Sequence, residues 1–468
     1  MTVDLKNIQP KTVAVIGLGV SGRGAVRYFS RLGSRVLVSD SRAPQDVAAD
    51  ELAFLTEYGV ETEFAGHDLT FLAQADLVIV SPGVPFHLPV LNELRGRGIP
   101  VLGELAVVTP LITVPIVAIT GTNGKTTVTE LITALLQTAG RKVFVGGNIG
   151  RSLFDYLVDE EQADCLVLEV SSFQLEAAGS FCPRVALLLN ITPDHLDRHG
   201  DMAGYMAAKM QIFAHQKDGD VAIVSADDAR CRQLLTQIQT ADLQLFGHGS
   251  DCMAYVAEND VVHIGGENQE DYQLSGTRLA GKTGLLNMSA AILAARSLGC
   301  EPADIRRGLA AFAPGAHRLA RVAEVNGVVY YDDSKATNTG AVLAALDNFS
   351  SGVILIAGGR DKGDDYTLLQ PAMSGKVRLL ILIGEAAGQI FAAVGGQVET
   401  KFADSMQQAV KFAAELAQAG DTVLLSPACA SFDMYDSYAH RGRAFQDAVK
   451  EVAGYRTESV LAVAAGAK

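Results

Sequence analysis

The chain has 468 residues, 49% of them hydrophobic, with 38 Lys+Arg against 53 Asp+Glu and a formal net charge of −15. That length predicts about three domains of roughly 150 residues each. An acidic balance without a Lys/Arg block argues against a nucleic-acid or membrane-surface binder, because phosphate backbones and anionic headgroups need clustered cations, and six scattered cysteines with no CxxC pair argue against a zinc ribbon or disulfide framework and fit a reducing cytosol.

The opening MTVDLKNIQPKT lacks the apolar core of a signal peptide, which predicts a cytoplasmic protein. Residues 12–16 form an apolar run ending in Gly17, Gly19 and Gly22; a helical pattern follows to Gly33, and 35–39 reads as the next strand before Asp40. This is a βαβ unit whose GLGVSG, with Asp40 twenty-one residues past Gly19, follows the dinucleotide fingerprint. On its own that signal is weak, and a nicotinamide-dependent oxidoreductase would use it too. Strand-like runs at 77–80 and 99–102, with a strand-end turn at Ser81-Pro82-Gly83, complete a small doubly wound domain.

Residues 105–124 are free of charge, but Pro110 and Pro115 interrupt them, so they read as linker and then buried strand rather than a membrane span. Strands are predicted at 116–120, 165–169, 185–189 and 221–224, helices at 127–139, 202–214 and 286–298, and hairpin-like runs between 246 and 279. The central signal is Gly121-Thr122-Asn123-Gly124-Lys125-Thr126-Thr127 between an apolar strand and a helix. Its glycines let backbone N–H groups converge on phosphate, Lys125 neutralises the outer phosphates and Thr126 reaches Mg²⁺. Ile119 stands where the first glycine of the usual GxxxxGK[ST] spacing belongs.

Glu169 closes the next strand, where a carboxylate faces the same crevice and can hold magnesium; Asp194, His195 and Asp197 follow in one loop. Lys209 falls on the apolar stripe of its helix, between Tyr205, Met206, Ile212 and Phe213. The pattern alone favours a snorkelling amine with its head in water. Burial would instead favour the neutral amine, able to take up CO₂ as a carbamate.

The string APGAHR at 313–318 breaks a helix and offers a hinge, with His317 and Arg318 as a cation pair able to swing onto phosphates. Beyond it, strands are predicted at 353–357, 379–383 and 423–425. Polar clusters at Asp332–Asn338, 358–363 and 426–431 stand at strand ends, which suits capture of a small charged molecule. The small-residue tail LAVAAGAK is expected to fray.

With GTNGKTT, EVSSFQLE, NITPDHLDRHG, YMAAK, HR, DDSKATN, GGRDKG and SPACASFDMYDSYAHRG in this order along nearly its whole length, the chain resembles the Mur ligases. SPACAS, DSKATN and the segment Asp40-Ser41-Arg42 point to the D-glutamate-adding branch. The resemblance implies an α/β fold of three domains: a Rossmann-like domain at 1–104 for a UDP-sugar, a P-loop ATPase-like domain with a mostly parallel sheet at 105–314, and a Rossmann-like domain at 315–468 that closes on ATP and the amino acid. It implies a monomeric ATP- and Mg²⁺-dependent ligase joining D-glutamate to UDP-N-acetylmuramoyl-L-alanine through an acyl phosphate, in peptidoglycan precursor synthesis.

Carried over by motif, Val20, Ser21, Asp40, Ser41, Arg42 and Ser81 would contact the uridine nucleotide, and Asn148 its muramoyl end. Gly121 to Thr127 would cradle ATP, with Lys125 and Thr126 on its phosphates and Asn287, His317, Arg318, Asp333 and Lys335 completing its contacts. Thr126, Glu169, His195 and an N-carboxylated Lys209 would organise Mg²⁺, while Thr337, Lys362, Ser431 and Tyr438 would seat D-glutamate. Lys125, His195, Lys209 and Arg318 are the implied catalytic set. The chain departs from the family pattern at Gly281-Lys282-Thr283-Gly284-Leu285-Leu286-Asn287, where the His-Asn pair of GxHNxxN is missing, which implies looser nucleotide selectivity. Tyr438 stands where the family carries Phe.

Overall fold

The computed structural model describes residues 10–238, 242–257, 259–266, 269–275, 277, 279, 281–394 and 396–452; the tail LAVAAGAK lies outside them. No helix among the described residues is long and apolar enough to cross a membrane. The chain divides into two compact units: Met1–Ile191 with Gly200–Thr277 and Leu286–Phe312, and Thr192–His199 with Arg278–Leu285 and Ala313–Lys468.

The first unit holds two sheets. One is parallel, built from β1 (Thr12–Ile16), β2 (Arg35–Asp40), β3 (Glu61–Phe64), β4 (Leu77–Val80) and β5 (Val101–Gly103) in the order β3-β2-β1-β4-β5. The order reverses at β1, and such a switch point opens a crevice at the carboxyl ends of the strands. The segment expected to be plain linker begins instead with a short helix, Glu104–Val108, in which every residue is buried. Its four apolar residues outweigh the breaking effect of Pro110, which lies past the helix end.

The second sheet comprises β6 (Ile116–Thr120), β7 (Val143–Gly147), β8 (Cys165–Glu169), β9 (Val185–Leu188), β10 (Val221–Ser225), β11 (Asp242–Gly247), β12 (Ala254–Val256), β13 (Val261–Ile264) and β14 (Glu270–Gln273). Their order is β14-β13-β12-β11-β10-β9-β6-β8-β7, parallel from β7 to β12 and antiparallel through β13 and β14. β6, β8 and β9 are buried along their whole length, as near-continuous apolar strands covered on both faces must be.

The second unit carries β15 (Ala320–Val325), β16 (Val328–Asp332), β17 (Val353–Gly358), β18 (Val377–Ile383), β19 (Glu399–Phe402) and β20 (Thr422–Leu425) in the order β15-β16-β20-β17-β18-β19. Only β15 runs antiparallel. Insertion of β20 between β16 and β17 brings three loops to one carboxyl edge: those after Asp332, Gly358 and Leu425.

Candidate functional site

β6 ends at Thr120, and the chain turns through Gly121–Gly124 into the helix Lys125–Thr138. Gly124 caps that helix at φ +86°, a left-handed backbone that glycine adopts at little cost, and a Cβ there would lie 2.8 Å from Asn287 Oδ1. The first N–H groups of a helix have no intrahelical partner, so the turn presents donors and partial positive charge. Asn190, just beyond β9, fastens the turn: Asn123 N–H donates to Asn190 Oδ1 at 2.8 Å, and Asn190 Nδ2 donates back to Asn123 O at 2.9 Å.

Two lysines converge on this loop. Lys125 Nζ donates to Gly121 O at 2.9 Å and Thr122 O at 2.8 Å, and Lys209 Nζ donates to the same Gly121 carbonyl at 2.8 Å. Lys209 is 1% exposed, with its ammonium 4.4 Å from the centroid of the Tyr205 ring, so it does not snorkel. Its helix ends at Met210, sooner than the predicted 214, and the apolar stripe carries the amine inward beneath the phosphate loop. Thr126 Oγ1 donates to Glu169 Oε2 at 2.6 Å, and Asn148 Nδ2 donates to Glu169 Oε1 at 2.7 Å. A hydroxyl and a buried carboxylate at the mouth of a helix N-terminus are hard oxygen donors. They fit Mg²⁺, which takes one or two protein carboxylates and completes its shell with water and substrate phosphate.

Beside this loop lies a cleft of 520 Å³. Val20, Ser21, Asp40, Ser41, Arg42, Ser81 and Asn148 all line it. Asp40 shows how the cleft is charged. Burial by itself raises its carboxyl, but the Arg42 guanidinium and backbone N–H and the Leu18 N–H, each at 3.0 Å, outweigh that and hold it at about 2. Arg42 also donates to Glu51 at 2.9 Å, so this cation is balanced by two carboxylates.

In the second unit Arg441, 1% exposed in the helix Tyr438–Val452, joins two of the three strand-end loops, those after Asp332 and Leu425. Its guanidinium donates to Ser334 Oγ at 3.0 Å, Ser334 O at 2.8 Å, Cys429 O at 3.0 Å and Ala430 O at 3.2 Å. Burial among neutral carbonyls lowers it to about 10. Tyr366 ties the third loop in, donating to Asp361 Oδ1 at 2.7 Å and lying 3.2 Å from Cys429 Sγ. Asp333 accepts from Ser426 Oγ at 2.9 Å and Leu319 N–H at 3.1 Å, yet burial, with Asp332 adjacent, pushes its carboxyl up to about 7.

Lys335 holds its ammonium 4.1 Å from the centroid of the Tyr438 ring, and Ser334 Oγ donates to Tyr438 O at 2.8 Å. Lys362 Nζ donates to Asp194 Oδ1 at 3.0 Å while Asn338 Nδ2 reaches Asp194 Oδ2 at 3.2 Å. Burial opposes the ionised form of Asp194, and the Lys362 and His195 charges overcome it, so its carboxyl sits below the usual range. His195 adopts φ +55° beside it. Thr337 is half-buried and Ser431 buried.

His317 is not poised to swing. Its ring is buried, with Nδ1 2.6 Å from Asp332 Oδ2, and a Cβ on Gly442 would overlap it; Arg318 remains half-buried. Sequence reasoning misses Glu104 and Arg441. Glu104 sits in an apolar run, LGELAVV, where a carboxylate signals a buried acceptor, but Arg441 on a charged helix carries no such signal.

Family models agree with this architecture: a MurD-like N-terminal Mur ligase domain matches residues 11–103, a Mur ligase middle domain 119–295, and a Mur ligase glutamate ligase domain 317–429. The UDP-N-acetylmuramoylalanine–D-glutamate ligase of Desulfotalea psychrophila is 51% identical over 94% of this chain and 96% of its own. The protein of that name from Syntrophus aciditrophicus is 41% identical over 96% and 99%. Among solved structures, a pseudomurein peptide ligase type C from Methanothermus fervidus superposes with a TM-score of 0.61 at 18% identity, covering 94% of this chain and 100% of that one. MurF from Acinetobacter baumannii does so at 0.62 and 17%, covering 94% and 93%; at such identities the likeness concerns the fold alone. The phosphate loop, the three sheets and these full-length relatives together establish that the chain belongs to the Mur ligase family and is an ATP-dependent ligase.

Proposed function

We propose that this chain joins D-glutamate to UDP-N-acetylmuramoyl-L-alanine at the expense of ATP, giving ADP and phosphate, as a step of peptidoglycan precursor synthesis. Relatives 39–51% identical over nearly the whole chain bear the name of that reaction. The observation that carries the chemistry is the convergence of Lys125, Thr126 and Glu169 at one helix N-terminus. The UDP-sugar occupies the 520 Å³ cleft, with Asn148 toward its muramoyl end. Gly121–Thr127 cradle the phosphates of ATP; Asn287, His317, Arg318, Asp333 and Lys335 are assigned to the same nucleotide. Thr337, Lys362, Ser431 and Tyr438 are assigned to D-glutamate. The domains are taken as 1–104, 105–314 and 315–468, and the protein as a cytoplasmic monomer.

The terminal carboxylate of the substrate attacks the γ-phosphorus, forming an acyl phosphate as the bond to ADP breaks. Charge spreads over the phosphoryl oxygens, so Lys125 and Arg318 act by position and electrostatics rather than as nucleophiles. Lys125 exchanges its two loop carbonyls for phosphate oxygens. Bound Mg²⁺, for which Thr126, Glu169, His195 and Lys209 are the candidate holders, supplies Lewis-acid charge neutralisation. N-carboxylation of Lys209, its neutral amine combining with CO₂ and losing one proton, turns a buried cation into an anion; burial at 1% exposure supports it, because desolvation favours the neutral amine. The D-glutamate amine, deprotonated beforehand with His195 as the candidate base, attacks the acyl carbon and expels phosphate.

Phosphate release from ATP with UDP-N-acetylmuramoyl-L-alanine tests this reading, with D-glutamate compared against L-glutamate, L-alanine, L-lysine and meso-diaminopimelate. Release with D-glutamate alone is expected. Release with another amino acid instead, or none at all, overturns it.

A further inference from the structure

The cleft has two walls from distant parts of the chain. Ser21, in the first turn of the helix Val20–Arg31, stands on one; Gly147, which ends β7, and Asn148 just past it stand on the other. Between them lies Glu104, 2% exposed, at the start of its short buried helix. Glu104 Oε2 accepts from Ser21 Oγ at 2.7 Å. Oε1 accepts from Ser152 Oγ and, at 2.8 Å, from Leu153 N–H, so the same carboxylate caps the helix Leu153–Val158. The loop entering that helix is anchored to the second wall, since Gly147 N–H donates to Arg151 O at 3.2 Å.

Burial of a carboxylate is expensive, and here it raises the carboxyl above its ordinary range against the donors that oppose it, Ser152, Ser21 and the N–H groups at the start of the Leu153–Val158 helix. A bare packing role would be met by an apolar residue at lower cost. The backbones are also drawn close: a Cβ on Gly24 would overlap Ser152, and Tyr28 and Phe29 pack on Phe154. That contact area holds the two helices together, but among the described residues only Glu104 binds both Ser21 and the cap of the Leu153–Val158 helix.

We propose that Glu104 is a positioning residue that sets the span between the two walls of the cleft, and so gauges the substrate that must touch both. The inference rests on the functional reading above, with the uridine end against Ser21 and the sugar end toward Asn148. A ligand bridging both walls depends on the clamp; one that touches the first wall alone does not.

The test is calorimetric titration of the full-length protein with UDP-N-acetylmuramoyl-L-alanine and, separately, with UDP. Glu104→Ala is expected to weaken the whole substrate about tenfold or more, the usual scale for losing hydrogen bonds to a charged group, while UDP weakens less than about twofold. Glu104→Gln, which keeps shape and can serve both hydroxyls, should restore most of the whole-substrate affinity and folds even where the alanine variant does not. Equal weakening of both ligands, or unchanged affinity for the whole substrate in both variants, would overturn the clamp while leaving the functional reading intact. Absence of substrate binding by the unaltered protein overturns the functional reading, and the clamp with it.

Discussion

The phosphate loop of the first unit and the loop edge of the second are built by opposite means. Gly121–Thr127 is one contiguous stretch whose donors are backbone N–H groups aimed by a helix start, with the Asn190 side chain fastening the turn. The second edge is assembled from three loops, following Asp332, Gly358 and Leu425, held by the side chains of Arg441, Tyr366 and Asp333. The cations differ likewise. Lys125 and Lys209 both donate to the backbone carbonyl of Gly121, and Lys362 is ion-paired with Asp194. A backbone cradle tolerates substitution around it; a side-chain staple fails when one member is lost. It follows that the first site should be most sensitive in its chemistry and the second in its stability.

The largest expected effect is on the chemistry. Lys209→Ala should lower amide formation about a thousandfold or more without changing the urea midpoint by more than a small fraction, and added bicarbonate should not restore it. Activity near that of the unaltered protein would erase the distinction drawn for the first site. Next comes Arg441→Met, which strips several carbonyls and a hydroxyl of their donor and should cost about 3–5 kcal/mol in denaturant unfolding. A loss below about 1 kcal/mol would show that the staple is decorative.

Asp333→Asn sharpens the comparison through pH. The carboxyl titrates at about 7 in the folded chain against 3.8 ordinarily, so the folded chain holds the proton more tightly. Below about pH 4 both states are protonated and the group contributes nothing; between about 4 and 7 the unfolded chain ionises first and stability falls, the loss being complete above 7. The asparagine variant cannot ionise. Its stability relative to the unaltered chain should climb by on the order of 2 kcal/mol from pH 5 to 8, read from urea midpoints. A flat difference across that range would place the carboxyl back in the ordinary range.

Legibility in the sequence followed burial. Strands predicted at 12–16, 77–80, 116–120 and 165–169 are β1, β4, β6 and β8, interior strands whose two buried faces leave an unbroken apolar run. The edge strands β3 (ETEF) and β19 (ETKF) escape such reading, because an edge faces water on one side and carries the polar residues that discourage further pairing, and β7 (VFVGG) escapes it because its apolar run is only three residues long before two glycines. The helix Lys125–Thr138 starts two residues before the predicted position, its first turn being the phosphate loop itself. Residues lining the cleft were found through motif resemblance, and the clamp that joins its walls was not, since Ser21, Glu104 and Ser152 have no common local pattern.

By itself, the sequence determined what depends on neighbours along the chain: the buried parallel strands, the glycine turn into a helix, and the supply of Lys, Thr and Glu at strand ends. Tertiary structure alone decided that Lys209 points inward, that His317 is locked on Asp332 instead of swinging, and that Arg441 staples the loops after Asp332 and Leu425. The physical reason is that backbone conformation is selected by local sterics and periodicity, while the state of a polar side chain is set by desolvation and by partners that folding brings from far away.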